Sequence, residues 1–163
     1  MFIKTLTKVR LLKLLELAGL ALKHLDFVYP TFLATKQCMA VSTKHFQSKH
    51  YNNAQGNAFR HALWNYLIAL KCTNRSKNKE RVISWTKRIT DWHETAFINR
   101  PLAQRMDLHN NGVGRMLFMK GKINSKDAAI AYFLELATNS IKITENSTLE
   151  NYSLRLVHIT DDQ

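Results

Sequence analysis

Polar side chains interrupt an otherwise apolar helical pattern at three places between Asn57 and Arg115. The three polar clusters lie at residues 57–65, 90–94 and 106–115, and each places polar groups where a helix normally carries core residues. A polar group at a core position costs stability unless it is hydrogen-bonded or paired. The spacing therefore predicts that the three clusters meet in one buried or cleft-lining polar site.

The first cluster is built around a histidine. Asn57, His61 and either Trp64 or Asn65 follow the i, i+4 and i+7 or i+8 spacing, so they share one helix face. An imidazole flanked by carboxamides can act as a general base, as a metal ligand, or as a neutral member of a hydrogen-bond network. The sequence leaves these three roles open for His61.

The second cluster contains two carboxylates, Asp91 and Glu94, which an i, i+3 spacing places on one helix face. Carboxylates on a lysine-rich helix commonly form surface ion pairs, here with Lys87 or Arg88. Of the two, we predict a role in the site for Glu94. His93 points about 100° away from Glu94 on a helix, which predicts that it does not share the site of Glu94.

The third cluster places Asp107, Asn110, Asn111 and Gly114 at i, i+3, i+4 and i+7. Asparagine is a poor helix former, so two adjacent asparagines inside a helix need another reason. A carboxylate with nearby carboxamide oxygens suits a hard cation, and the addition of His61 suits Zn, Mn or Fe. The alternative is a structural network or a helix end, with the Asn-Asn-Gly triplet as the stop signal.

Helical periodicity extends over most of the chain, and five glycines and two prolines in 163 residues argue against a turn-rich β fold. We predict a mostly α fold with a single domain over residues 1–163, a site region at 50–120, and about six helices. The predicted helices span residues 2–28, 31–47, 54 or 57 to 71, 79–97, 101–120 and 125–139. Because proline suits the first turn of a helix, Pro30 is predicted to separate the first two.

The C-terminal tail has two interpretations. Residues 140–144 and 154–160 alternate apolar and polar side chains, as strands do, whereas residues 149–157 also fit a short helix.

Cys38 and Cys72 both fall in apolar helical patterns without a metal-type spacing. They are therefore predicted to be reduced core residues and not a disulfide.

The N-terminal segment, residues 2–28, is rich in leucine and basic residues. Lys13 and Glu16 interrupt any apolar run long enough to cross a bilayer, and they also spoil the apolar region of a signal peptide. We therefore predict no integral membrane span and a cytoplasmic protein at synthesis. A packed helix is favoured, and a basic amphipathic helix on an anionic membrane surface is the alternative.

The formal net charge of +12 favours anionic partners such as lipid, nucleic acid or an acidic polymer, although it also serves solubility alone. Nucleic acid is the weaker prediction, because the basic residues are spread along the chain and form no recognisable binding motif.

Common hydrolase motifs do not occur in the sequence. It contains no His-Glu-x-x-His, no His-Asp dyad of the HD phosphohydrolases, no phosphate-binding Gly-rich loop and no Gly-x-Ser-x-Gly elbow. The pair His93-Glu94 is only a loose analogue of the dyad. In outline, His, Glu and Asp on three helices resemble the all-helical metallohydrolases.

Taken together, the clusters resemble a bacterial domain family of unknown function over about residues 50–120. Its pattern is Asn-Ala-x-Arg-His-Ala-x-Trp, then His-Glu, then Met-Asp-x-x-Asn-Asn-x-x-Gly-Arg. The matching residues are Asn57, Ala58, Arg60, His61, Ala62, Trp64, His93, Glu94, Met106, Asp107, Asn110, Asn111, Gly114 and Arg115. Similar domains occur in small Bacteroidetes-type proteins and at the ends of some polymorphic toxins, which implies a hydrolytic effector exported by a specialised secretion system.

We predict a small hydrolase with its site between three helices, acting on lipid, cell-wall or phosphoester substrates. His61, Glu94 and Asp107 are the candidate catalytic residues or the ligands of one divalent metal ion. Substrate-binding or orienting roles are predicted for Asn57, Arg60, Trp64, Asn65, Asn110, Asn111 and Arg115. The alternative is a non-enzymatic basic helical module that binds an anionic membrane or nucleic acid, with the clusters as a buried structural network.

Overall fold

The computed structural model describes residues 11–97, 99–121, 123 and 125–160, and it confirms the mostly α fold. The described residues form six α-helices: α1 Leu11–Lys23, α2 Leu25–Phe46, α3 Gln55–Cys72, α4 Lys79–Ala96, α5 Pro101–Lys120 and α6 Lys126–Thr138. They also form two 3-10 helices, Gln47–Tyr51 and Leu149–Tyr152, and two short strands, β1 Ile141–Lys142 and β2 Val157–His158.

Helix α3 is the centre of the structure, with thirteen of its eighteen residues buried. Its most extensive contact is with α5, and α2, α6 and α4 pack around its other faces. The indoles of Trp64 on α3 and Trp85 on α4 donate hydrogen bonds to Thr35 and Thr31 of α2, each at 2.8 Å. The packing of α4 and α5 on α3 places the three polar clusters near one another.

The ends of the helices follow from local sequence signals. Asn78 caps α4 by accepting a hydrogen bond from the Arg81 amide at 2.7 Å, and Ser125 caps α6 in the same way. Pro101 occupies the first turn of α5, and Gly121 ends it with a left-handed φ of 64°. The predicted bounds of α5, residues 101–120, are confirmed.

The predicted boundary at Pro30 is wrong, and so is the alternative of a helix end at Asn-Asn-Gly. Pro30 does not separate the first two helices but lies buried inside α2, and the chain breaks earlier, at His24. The turn before Pro30 is held by tertiary contacts, because Asp26 pairs with Arg81 at 2.8 Å and Phe27 packs against Trp85. The Asn-Asn-Gly triplet of α5 does not end that helix either. The part of the first predicted helix at residues 2–10 lies outside the described residues.

The C-terminal tail contains both of its predicted structures. Strands β1 and β2 pair in parallel, with Ile141 opposite Val157, and a 3-10 helix lies between them in the chain.

Cys38 and Cys72 are free and buried, as predicted, and burial raises the pKa of each thiol to about 12. None of the helices in the described ranges is both long and apolar enough to cross a membrane.

Candidate metal centre

Helices α3, α4 and α5 each contribute one ionisable side chain to the base of a polar cleft. His61, Glu94 and Asp107 are 3%, 5% and 4% exposed, and one ligand atom from each lies within 4.8 Å of the other two. The cleft has a volume of about 370 Å³. The three polar clusters therefore converge in the fold, as predicted.

Each of the three side chains reaches the cleft for a local reason. His61 lies on the face of α3 that packs against α5, one turn after Asn57, so both side chains point the same way. Glu94 lies in the last turn of α4, and Gln104 of α5 holds the end of that helix by donating to the Glu94 carbonyl at 3.3 Å. Asp107 follows in the second turn of α5.

The contacts of His61 define which of its ring nitrogens is the acceptor. The guanidinium of Arg60 lies 2.9 Å from Nε2, and because a guanidinium can only donate, Nε2 accepts this hydrogen bond. The proton of the neutral ring is therefore on Nδ1, which donates to Asn111 Oδ1 at 3.2 Å and lies 3.4 Å from Glu94 Oε1. The basic nitrogen, Nε2, lies on the same side of the ring as Asp107.

Asp107 has an oxygen without a protein partner. Its Oδ1 lies 3.5 Å from His61 Nε2, and no described residue donates a hydrogen bond to it. Asn99 donates to Oδ2 at 3.5 Å. Burial raises the pKa of Asp107 above its ordinary value, and the neighbouring charge of Glu94 adds to that effect. Within the described residues, the buried Asn57 Oδ1 likewise has no donor.

Glu94 lies beside Nδ1, the other nitrogen of the imidazole. Asn111 donates to its Oε1 from Nδ2 at 2.9 Å. Burial acts to raise its pKa, but the hydrogen bond and charge of His61, together with His93 and Asn111, leave the pKa of Glu94 below its ordinary value. An ionised Glu94 next to Nδ1–H fixes the orientation of the ring.

A second layer of hydrogen bonds supports Asn111 from behind. Asn65 donates to Asn111 Oδ1 at 2.6 Å, and its own Oδ1 accepts from Thr90 at 3.1 Å and from Arg115 at 2.7 Å. Asn65, Thr90 and Asn111 are buried, Arg115 is half-buried, and none of the four has a buried side-chain polar atom without a partner. Asn65 and Arg115, predicted to bind or orient substrate, do not line the cleft but lie behind it, where they position Asn111 and, through it, His61.

Two other predicted residues also lie away from the cleft. Asn110 forms two hydrogen bonds with the backbone of Val157 in β2, at 2.9 and 3.0 Å. Trp64 packs between α2 and α4, where its ring contacts that of His93. Asn57 and Arg60, in contrast, line the cleft as predicted.

His93 lines the cleft beside Glu94, contrary to the prediction from helix geometry. Its ring contacts those of Trp64 and Phe97, with centroids at 5.1 and 4.7 Å, and these contacts hold it against the cleft. Burial lowers the pKa of His93 to about 4, so the ring is neutral near pH 7. The ion pair predicted on the outer side of this helix forms between Lys87 and Asp91.

Several cleft residues had no predicted role. They are Tyr51, Asn52, Asn53, Phe97 and Asn99, which come from the turns before α3 and after α4. The only sequence signal at these positions is a turn composition rich in asparagine, which does not distinguish a cleft rim from an ordinary loop.

A family model supports the assignment of these residues to one domain type. The model described as "Domain of unknown function (DUF6973)" matches residues 18–142, a longer span than the 50–120 predicted from the motifs. Searches of curated proteins and of solved structures gave no significant match. The matched span contains His61, Glu94 and Asp107 and covers most of the chain. The chain therefore belongs to the DUF6973 family, a domain of unknown function.

Proposed function

We propose that this chain is a hydrolase whose cleft binds one divalent cation among His61, Glu94 and Asp107, and that phosphoesters are its substrates. The observation that carries the proposal is the pair His61 Nε2 and Asp107 Oδ1, which lie 3.5 Å apart in a buried site. Nε2 is the basic nitrogen of the ring, and Asp107 Oδ1 accepts no hydrogen bond from any described residue, so both atoms can act as ligands for a cation.

The donor set fits a small divalent ion. Two ligand atoms that are each about 2.1 Å from a tetrahedral ion lie about 3.4 Å apart, close to the observed separation. One imidazole nitrogen with two carboxylate oxygens suits Zn²⁺ or Mn²⁺. The hydrogen bond from His61 Nδ1 to Asn111, with the Glu94 carboxylate nearby, orients the ring as is usual for a metal-ligating histidine.

The other cleft residues suit an anionic substrate. A bound divalent ion supplies a Lewis acid and lowers the pKa of a water molecule. Arg60 is half-buried at the cleft, and its guanidinium matches the oxygens of a phosphoryl group. Because Nε2 cannot bind an ion and accept from Arg60 at once, Arg60 would release Nε2 when the ion binds and could then hold the substrate phosphate. Asn57 Oδ1 would accept a hydrogen bond from the attacking water.

The alternative of a purely structural network accounts for only part of the site. The layer formed by Asn65, Thr90, Asn111 and Arg115 is satisfied by its own hydrogen bonds, as a structural network requires. The cleft-facing oxygens of Asp107 and Asn57 accept no hydrogen bond from any described residue. A buried polar group without a partner lowers the stability of the fold by about 1–3 kcal/mol. A ligand in the cleft explains why these two groups are retained.

The first test is metal binding by Asp107→Asn, which keeps the shape of the side chain and removes its charge. We expect untagged wild-type protein to retain a near-stoichiometric transition metal by mass spectrometry, and calorimetry to show Zn²⁺ or Mn²⁺ affinity at least about tenfold weaker in the variant. The matched control is Asp91→Asn, since Asp91 pairs with Lys87 away from the cleft.

The outcomes separate three mechanisms. Metal binding lost only in Asp107→Asn, together with hydrolysis in a phosphomonoester and phosphodiester screen, supports the proposal. Hydrolysis without bound metal, abolished by His61→Gln, replaces it with acid–base catalysis by His61 and Glu94. Neither metal nor hydrolysis, with a lower melting temperature for Asp107→Asn, overturns the enzyme proposal in favour of the structural network. An exported effector role rests on the sequence resemblance alone and stays a prediction.

A further inference from the structure

An apolar face runs along α1 and the first turns of α2. Its residues are spaced alternately four and three apart and are all exposed: Leu11, Leu15, Ala18, Leu22, Leu25, Tyr29 and Phe32. Leu11 and Leu22 are each 72% exposed and Leu25 is 67% exposed, and none of residues 11–23 is buried. On each helix this spacing places the side chains next to one another, so they form a stripe along it.

The opposite side of α1 explains why this face is free. Leu17 and Leu20 pack on the hydrophobic core, and the Trp92 indole of α4 donates to the Lys13 carbonyl at 2.9 Å. The helix is therefore anchored by one side and presents the apolar face outward. An apolar surface of this extent on a soluble chain marks an interaction site.

Two basic side chains lie in the groove between α1 and α4, and one of them, Lys23, directly follows Leu22 of the apolar face in the chain. A groove of about 550 Å³ between α1 and α4 is lined by Lys23, Arg88 and Trp92, among others. Its two acidic residues are neutralised, because Glu16 pairs with Lys13 and Asp91 pairs with Lys87. Neither Lys23 nor Arg88 forms an ion pair with any residue that the structure describes. The groove therefore carries two uncompensated positive charges.

We infer that this surface docks on an anionic lipid bilayer. The leucines of the apolar face enter the boundary between headgroups and acyl chains, and Lys23 and Arg88 meet headgroup phosphates. A second copy of the chain fits less well, because a two-fold interface at this face would bring the like charges of the groove together. This inference does not depend on the proposed hydrolase activity.

The test is flotation of the full chain with vesicles of phosphatidylcholine alone or mixed equally with phosphatidylglycerol. We expect binding to the mixed vesicles only. The triple variant Leu11→Gln/Leu15→Gln/Leu22→Gln should lose it, while circular dichroism and melting temperature stay near wild type because these side chains are exposed. Lys23→Gln/Arg88→Gln should bind about 30-fold more weakly, from the usual contribution of two surface charges.

The matched control is Lys77→Gln/Lys120→Gln, which removes two exposed charges on other elements and leaves the same net charge. Equal weakening by both double variants, or undiminished binding by the triple variant, would overturn the docking surface. So would a wild-type protein that ignores both vesicles. If light scattering then shows a dimer that the triple variant loses, the apolar face is an interface between two copies.

Discussion

At the scale of single residues, Gly114 limits how closely the two helices that carry His61 and Asp107 can approach. A Cβ built on Gly114 would lie 2.1 Å from the carbonyl oxygen of Ala62, so any other residue forces backbone to move. We expect Gly114→Ala to lower the free energy of unfolding by about 1–3 kcal/mol or more. Urea denaturation followed by circular dichroism measures the change.

Gly112 provides the matched control, two residues away in the same helix. A Cβ there meets only the Arg115 guanidinium, at 3.8 Å. Gly112→Ala should therefore stabilise the protein by about 0.5–1 kcal/mol, because alanine is the better helix former. Equal effects of the two substitutions would show that the close contact with Ala62 does not limit the packing.

The sequence was sufficient to predict which three helices meet at the candidate site. It was not sufficient to predict which of two neighbouring side chains enters that site. Helical spacing was sufficient to bring His61, Glu94 and Asp107 together, because each lies on the inner face of its helix. It could not separate Asn110 from Asn111, which both fit an inner face. Asn110 contacts strand β2, whereas Asn111 contacts His61. Which side chain does which depends on where strand β2, 47 residues further along the chain, packs against α5.

At the scale of elements, Asn110 joins α5 to the C-terminal tail. Its side chain accepts from the Val157 amide and donates to the Val157 carbonyl, in the way an adjacent strand would. Asn110→Ala removes both bonds and leaves two buried backbone groups unpaired, at a cost of about 2–4 kcal/mol. We expect faster amide exchange at Val157 and Ile143, measured by hydrogen–deuterium exchange, while α3 stays protected.

Asn151→Ala is the control for this element, since Asn151 is exposed in the 3-10 helix of the same tail. It should leave exchange in β1 and β2 unchanged. If both variants loosen the tail equally, the strand pair and not Asn110 holds it in place.

Pro30 shows why one helix boundary could not be predicted. Proline removes one backbone hydrogen bond from a helix interior, and from sequence alone that loss favours a break. In the folded chain the turn before Pro30 is stabilised by Asp26 with Arg81 and by Phe27 with Trp85, which are 55 and 58 positions apart in sequence. Tertiary contacts therefore override the local preference.

At the scale of the whole molecule, the packing of the other elements on α3 predicts a single cooperative unfolding transition. Trp64 lies in α3 and Trp85 and Trp92 lie in α4, where they contact α2 and α1. Tryptophan fluorescence and far-ultraviolet circular dichroism should therefore give coincident urea curves. Separate midpoints would divide the chain into independent units and contradict the predicted single domain.

The close crossing of α3 and α5 has a further consequence for the kind of ion the cleft can accept. Ala62 and Gly114, which touch at that crossing, are direct neighbours of His61 and near neighbours of Asn111 along their helices. Backbone in contact with backbone cannot be compressed or repacked as side chains can. The spacing between the two helices that carry His61 and Asp107 is thus fixed, which limits how far their side chains can separate around the ion that we propose. We therefore expect zinc or manganese to bind more tightly than calcium, which requires six to eight oxygens at about 2.3–2.6 Å.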